Sequence, residues 1–159
     1  GRRLRNPSLM TDRDLAPLFL SRGEAFIAGA HWAAAQAHSD EHVLSNVCWG
    51  LELVLKAFLL AHGVTDDHNR RVHGHDLLKA AAAGQQLGLA LDRKAKRFLT
   101  DVAPYARRHA IDEALARRPD LMQRYRPLQR ADEIVQEVKR ACADGLAPAT
   151  DATSSGHRG

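Results

Sequence analysis

The sequence predicts an all-α fold, an up-and-down bundle of about five helices. Three observations lead there. Apolar residues recur at a period of about 3.6 along most of the chain, most fully at Val43, Leu44, Val47, Cys48, Leu51, Val54, Leu55, Phe58 and Leu59. Ala-rich segments with few β-branched runs favour helix over sheet. The apolar segments also stop at a Gly followed by an apolar residue, as in Gly63-Val64, Gly88-Leu89 and Gly145-Leu146. That pairing is a left-handed helix terminus with a hydrophobic partner folding back on it. Short connections then make consecutive helices antiparallel neighbours.

The elements follow in order. Residues 1–16 read as a basic arm, with Arg2, Arg3 and Arg5 ahead of Pro7; a single bundle spans 17–145; and 146–159 is a small-residue polar tail expected to be disordered. Thr11 to Asp14 offers helix-capping chemistry, and Pro17 suits a first turn. Helix one is expected over 18–37, burying Phe26, Ile27, Ala30, Ala33, Ala34 and Ala37, with Gly23 and Gly29 as weak points and small residues that admit a close neighbour. Ser39 caps helix two, with Asp40 and Glu41 at its positive end, and its broad stripe marks it as central. A polar loop over 65–74 leads to helix three, which opens at His75-Asp76 and points Leu77, Leu78, Ala81 and Ala82 inward. Asp92 caps helix four (Ala95, Phe98, Leu99, Val102, Ala103, Ala106), and Pro104 is expected to kink or end it. An Arg-rich connection over 107–130, broken by Pro119 and Pro127, precedes helix five at 128–143, whose inward face is Leu128, Ala131, Ile134, Val135, Val138, Ala141 and Cys142.

Composition bounds the function. The 159 residues suffice for one core, and with 45% hydrophobic but only 5% aromatic residues Leu, Ala and Val must fill it. No continuous apolar run reaches the roughly 18–20 residues that span a bilayer, and no signal pattern is read at the N-terminus. The expectation is a cytoplasmic protein without a membrane partner. The net charge is +4, carried by 18 Arg against 5 Lys. The planar guanidinium suits bidentate phosphate binding, although a GC-rich coding sequence gives the same bias. Cys48 and Cys142 each fall on an apolar stripe and are expected as buried thiols.

Three stretches together resemble the HEPN-domain family. They are the Ala-rich helix Phe26 to Ala37; the run Leu51-Glu52-Leu53-Val54-Leu55-Lys56-Ala57-Phe58-Leu59-Leu60 closing in Gly63; and His75-Asp76-Leu77-Leu78. Tyr105 with the following Arg pair is loosely similar to an aromatic-plus-Arg segment of that family. The resemblance covers about residues 18 to 143. It implies a helical bundle, commonly a homodimer, tied to RNA or nucleotide, and in some members a toxin–antitoxin or defence protein paired with a nucleotidyltransferase or antitoxin. Many members are metal-independent ribonucleases with an Arg-x4–6-His motif; others have lost it. No cofactor is implied.

The residues offer two catalytic candidates. Arg70 and His75 match the spacing, Arg to hold the scissile phosphate and His to serve the ribose hydroxyl as acid or base. About three such pairs arise by chance from this many Arg and His, so the spacing alone is no evidence. Capping of helix three together with Asp76 is the simpler reading of His75. The fallback is Arg107, Arg108 and His109, which have the residue types but not the spacing. Arg107, Arg108, Arg117, Arg118, Arg124 and Arg126, with Tyr105 and Tyr125 as stacking rings, read equally as a nucleic-acid surface or as a solvated basic face. Glu52 and Lys56 stand four apart in the favourable order for an ion pair, either on the surface or lining a groove or interface. His62, His68, His73 and His75 gather near Asp66, Asp67 and Asp76, but their spacing is no recognised metal pattern, and no metal is expected. Three functions follow: a HEPN-like module binding RNA, nucleotide or a partner protein; a metal-independent endoribonuclease; or a dimeric scaffold without ligand.

Overall fold

The computed structural model describes residues 11–143. The arm arginines Arg2, Arg3 and Arg5, the Gly145-Leu146 stop and the tail lie outside them. A 3-10 turn, Arg13–Leu15, leads into α1 (Ala16–Ala35); then come α2 (Asp40–Ala61), a helical turn Asp66–His68 continued as a π-turn Asn69–His73, α3 (Leu77–Gln86), α4 (Arg93–Arg107), α5 (Ile111–Arg117), α6 (Leu121–Tyr125) and α7 (Pro127–Ala141). The described residues contain no strand, and the fold is all-α.

The helix ends are built as the sequence suggests. Ser39 Oγ accepts from the His42 amide, Asp76 Oδ1 from Leu78 and Lys79, and Asp92 Oδ1 from Ala95. Each satisfies amides that no helical carbonyl reaches. Gly63 at φ +92 and Gly88 at φ +103 end α2 and α3, with Val64 N bonded back to Leu59 O and Leu89 N to Gly84 O. The α2 C-terminus gains a further donor that the sequence reading assigned to the arm. Arg13 Nη1 donates to Ala61 O at 2.7 Å, and Ala16 is fully buried. The chain is therefore packed from the 3-10 turn onward, ahead of residue 17.

α2 is central, packing on α1, α3, α5 and α7. It is long and apolar enough to cross a membrane, contrary to the expectation from continuous runs, with mean hydropathy 1.6 over its most apolar window. Since 72% of that window is covered by the other helices, its apolarity is that of a core helix. Cys48 and Cys142 are buried in the core. Burial, and then the nearby Glu52 charge, pushes the Cys48 thiol up to about 12; burial pushes Cys142 up to about 11.

Four expectations are corrected. First, α1 buries Ala16, Leu20, Gly23, Ile27, Ala30 and Ala33, and turns Phe26 and Ala34 outward. Gly23 and Gly50 face each other at the α1–α2 crossing, and that contact rotates α1. Second, α4 does not end at Pro104 but runs on to Arg107. Pro104 and Thr100 are both exposed, so the Thr100 carbonyl that loses its partner faces water. Third, the 107–130 connection holds two short helices, so seven helices among the described residues replace five. Ile111, Ala114, Leu121 and Tyr125 anchor them in the core, while Pro119 separates them and Pro127 starts α7. Fourth, α3 buries Leu77, Ala80, Ala81 and Gly84, leaving Leu78 and Ala82 on its outer flank.

Candidate functional site

The loop between α2 and α3 is fixed from below by α2. Thr65 Oγ1 accepts from the His68 amide and starts a turn that widens to π geometry over Asn69–His73. Gly74, at φ +52, then reverses the chain. The reversal turns the Gly74 carbonyl toward α2, where Lys56 Nζ donates to it at 2.5 Å. Lys56 is only 7% exposed and also donates to Glu52 Oε2 at 3.0 Å. The same carboxylate oxygen accepts from His75 Nδ1 at 2.9 Å. Glu52 and Lys56 thus form a half-buried link joining α2 to the loop and to His75, well beyond a surface pair. Asp76 alone caps α3; His75 takes no part in the cap and projects outward.

His109 meets His75 from the other side. It follows α4 in a left-handed conformation, φ +56, which swings its ring back over the bundle, 6.2 Å from the His75 ring centre. Arg107, one residue pair before it, places Nη1 3.6 Å from Asp76 Oδ2. A cavity of about 210 Å³ lies over this meeting point, floored by Leu53 and Leu77 and walled by Phe26, Trp49 and His109. A second, about 220 Å³, continues from it past Ser45 and Glu41. Phe26 and Trp49 pack edge to face at 5.8 Å and remain 38% and 47% exposed. The groove thus offers two imidazoles, the Glu52 and Glu41 carboxylates and two aromatic faces, with Arg107 next in the chain to the lining residue Ala106 and paired with Asp76.

The structure brings together His75 and His109, the histidines of the two alternative catalytic sets, in a groove that Arg70 does not line. The Arg70 guanidinium lies 3.5 Å from Asp66 and 3.8 Å from Asp67 on its own turn. Arg108 pairs with Glu113 and stacks over Tyr105. Arg118 pairs with Asp101, which also accepts the Tyr125 hydroxyl. Arg117 is exposed on the last turn of α5. Arg124, Arg126 and Tyr125 line a separate basic cavity around the start of α7. The loop histidines diverge: His62 Nδ1 donates to Phe58 O, His73 Nδ1 to Asn69 Oδ1, His75 Nδ1 to Glu52. Among the described residues no three His, Cys, Asp or Glu side chains are placed to hold a metal ion. Trp49 is the groove residue that the sequence reading passed over; it stands one position off the apolar stripe of α2, an exposed aromatic on an otherwise buried helix.

His73 is buried beside these groups, and its imidazole is held below the ordinary value by burial first, then by His68, Lys56 and Lys79. The unfolded chain therefore takes up a proton that the folded chain refuses. The stability this confers is present above about pH 6.5 and is lost as pH falls through the lowered folded value. Urea midpoints measured from pH 7.5 to 5 should fall more steeply for the wild type than for His73→Gln; parallel slopes would show that His73 carries none of the linkage.

Comparison with known proteins finds no matching family model, no matching curated protein and no matching solved structure.

Proposed function

We propose that this chain is a HEPN-like module that cleaves single-stranded RNA without a metal, with His75 and His109 as its acid–base pair. The observation that carries the reading is the approach of two imidazoles to 6.2 Å in one groove, one of them oriented by a carboxylate. The HEPN resemblance supports it from an independent side. Glu52 and Lys56 belong to one matching segment and His75 to another, and Glu52 accepts from both Lys56 and His75 here.

With its Nδ1 proton given to Glu52, His75 keeps Nε2 as a base. It takes the proton of the ribose 2′-hydroxyl as that oxygen attacks phosphorus. The bond from phosphorus to the 5′-oxygen breaks, His109 supplies the proton to that leaving oxygen, and a 2′,3′-cyclic phosphate and a 5′-hydroxyl result. Arg107, released from Asp76, neutralises the charge gathering on the phosphate oxygens, and Trp49 and Phe26 give the flanking base a stacking face. The homodimer, and an antitoxin or nucleotidyltransferase partner, belong to the proposal through the resemblance. RNA binding without cleavage is the second reading, favoured by the ion pair that occupies Arg107.

The test is cleavage of a mixed single-stranded RNA in EDTA. His75→Ala and His109→Ala should each lose about 10²-fold or more in rate, with helical content unchanged, whereas Arg70→Ala should cleave as wild type does. No cleavage by wild type, or wild-type rates in either histidine variant, removes the acid–base role. Binding of a fluorescent RNA by wild type, weakened in Arg107→Gln, would then leave the binding module standing.

A further inference from the structure

We infer that the basic cavity at the α4–α6–α7 corner binds a compact polyphosphate group. It is independent of the histidine groove. Lys94 sits in the first turn of α4 and Ala106, which lines the groove, in the last, about 18 Å apart along the helix.

The cavity encloses about 480 Å³ and is lined by Lys94, Arg97, Arg124, Arg126 and Arg130, with two glutamines and Tyr125. Five cations converge there, and no carboxylate is among the lining residues. Gathering like charges around one concavity costs electrostatic energy unless an anion offsets it. The floor makes the point more sharply. Arg130 is 5% exposed, and its Nε is buried with no acceptor among the described residues. Its Nη2 reaches Glu133 at 3.3 Å, which answers one end of the guanidinium and leaves the other short of a partner. An orphaned buried guanidinium donor is costly, and it marks the cavity wall as a place where protein acceptors do not balance the positive charge. The N-terminus of α7 opens into the same space and adds its positive end.

The number of charges selects the ligand. A single phosphate engages one or two guanidinium forks, so five cations, four on three helices and Arg126 in the turn between two of them, match a di- or triphosphate. Such a group occurs on a free nucleotide and on the 5′ end of an RNA, and the chemistry is common to both. Gln123 and Gln129 at the cavity edge supply neutral donors and acceptors for what the polyphosphate carries.

The test is calorimetric titration of the full chain with sodium tripolyphosphate at low salt, beside Arg97→Gln and Arg126→Gly. Arg126 lies at φ +50, a conformation that glycine adopts without strain, so Arg126→Gly removes a cation while keeping the turn into α7. Wild type should bind, and each variant should bind about tenfold more weakly, with Arg126→Gly melting at or above the wild-type temperature. The His75→Ala/His109→Ala double variant should bind as wild type, which keeps this site separate from the ribonuclease reading. A 5′-triphosphate oligoribonucleotide that outcompetes tripolyphosphate points to an RNA end as the source, whereas a nucleoside triphosphate that does so points to a free nucleotide. The proposal falls if wild type does not bind at millimolar tripolyphosphate, if both variants bind unchanged, if sulfate binds equally well, or if a 5′-hydroxyl oligoribonucleotide matches the triphosphate form.

Discussion

Gly23→Ala should lower the thermal midpoint by roughly 2–8 °C, while Gly29→Ala, the same change six residues along the same helix, should raise it by a few degrees. A Cβ on Gly23 would stand 2.7 Å from Val54 Cγ2, 2.8 Å from the Gly50 carbonyl oxygen and 3.1 Å from the Val54 amide nitrogen. Two of those three atoms are backbone, so a rotamer change cannot clear the space and α1 must lift from α2. Overpacking of this kind costs about 1–3 kcal/mol or somewhat more, against which the helix-propensity gain of about 1 kcal/mol is small. A Cβ on Gly29 meets nothing within 4 Å, so only the propensity gain acts there. Gly50→Ala should resemble Gly23→Ala, since it meets Ile27 Cγ1 at 2.7 Å and the Gly23 carbonyl at 2.8 Å. Ile27→Val should fail to rescue it, because the carbonyl contact remains. Chemical or thermal unfolding of the four variants checks this, and equal midpoints for Gly23→Ala and Gly29→Ala would overturn the crossing argument.

The same crossing explains what was legible in the sequence and what was not. Capping residues, glycine stops and the α2 stripe are local, so Ser39, Asp76, Asp92, Gly63 and Gly88 could be placed from neighbours in the chain. Read on one helix, Gly23 is only a poor helix former; its value appears when Gly50, 27 positions away, is set against it. For α1 the period is correct, but its arc was centred wrongly, because Phe26 is apolar and Gly23 is not counted as apolar. α5 and α6, of 7 and 5 residues, are too short to display a period. At the candidate site, Glu52 and Lys56 were recognisable as a pair at helical spacing, but their partners, the Gly74 carbonyl and His75, lie 18 and 23 residues beyond. The left-handed turn that aims His109 at His75 has no glycine or asparagine to announce it. The basic cavity draws Lys94 and Arg97 from α4 and Arg130 from α7, so it could not be seen in the Arg-rich segment that supplies Arg124 and Arg126.

Lys56→Met should cost about 2–4 kcal/mol of stability and loosen the loop that carries His75. Methionine keeps the length and apolar body of lysine, so core packing is nearly conserved. What is lost is the ammonium between Glu52 Oε2 and the Gly74 carbonyl. The carboxylate is left half-buried with His75 as its one remaining side-chain partner, and the carbonyl loses its donor. Removing one partner from a buried pair costs more than the pair is worth, because the other charge stays desolvated. Glu52→Gln/Lys56→Met should therefore be more stable than the two single changes predict by addition, with a coupling of about 1 kcal/mol or more. Amide exchange should separate this from a general loss of stability, with residues 69–76 exchanging faster in Lys56→Met than α1 and α7 do. A variant as stable as wild type, or protection lost evenly across all helices, would reduce Lys56 to an ordinary core-edge residue. It would also leave His75 without the anchoring that its proposed role as a base requires, since Glu52 orients the ring only while Lys56 holds Glu52.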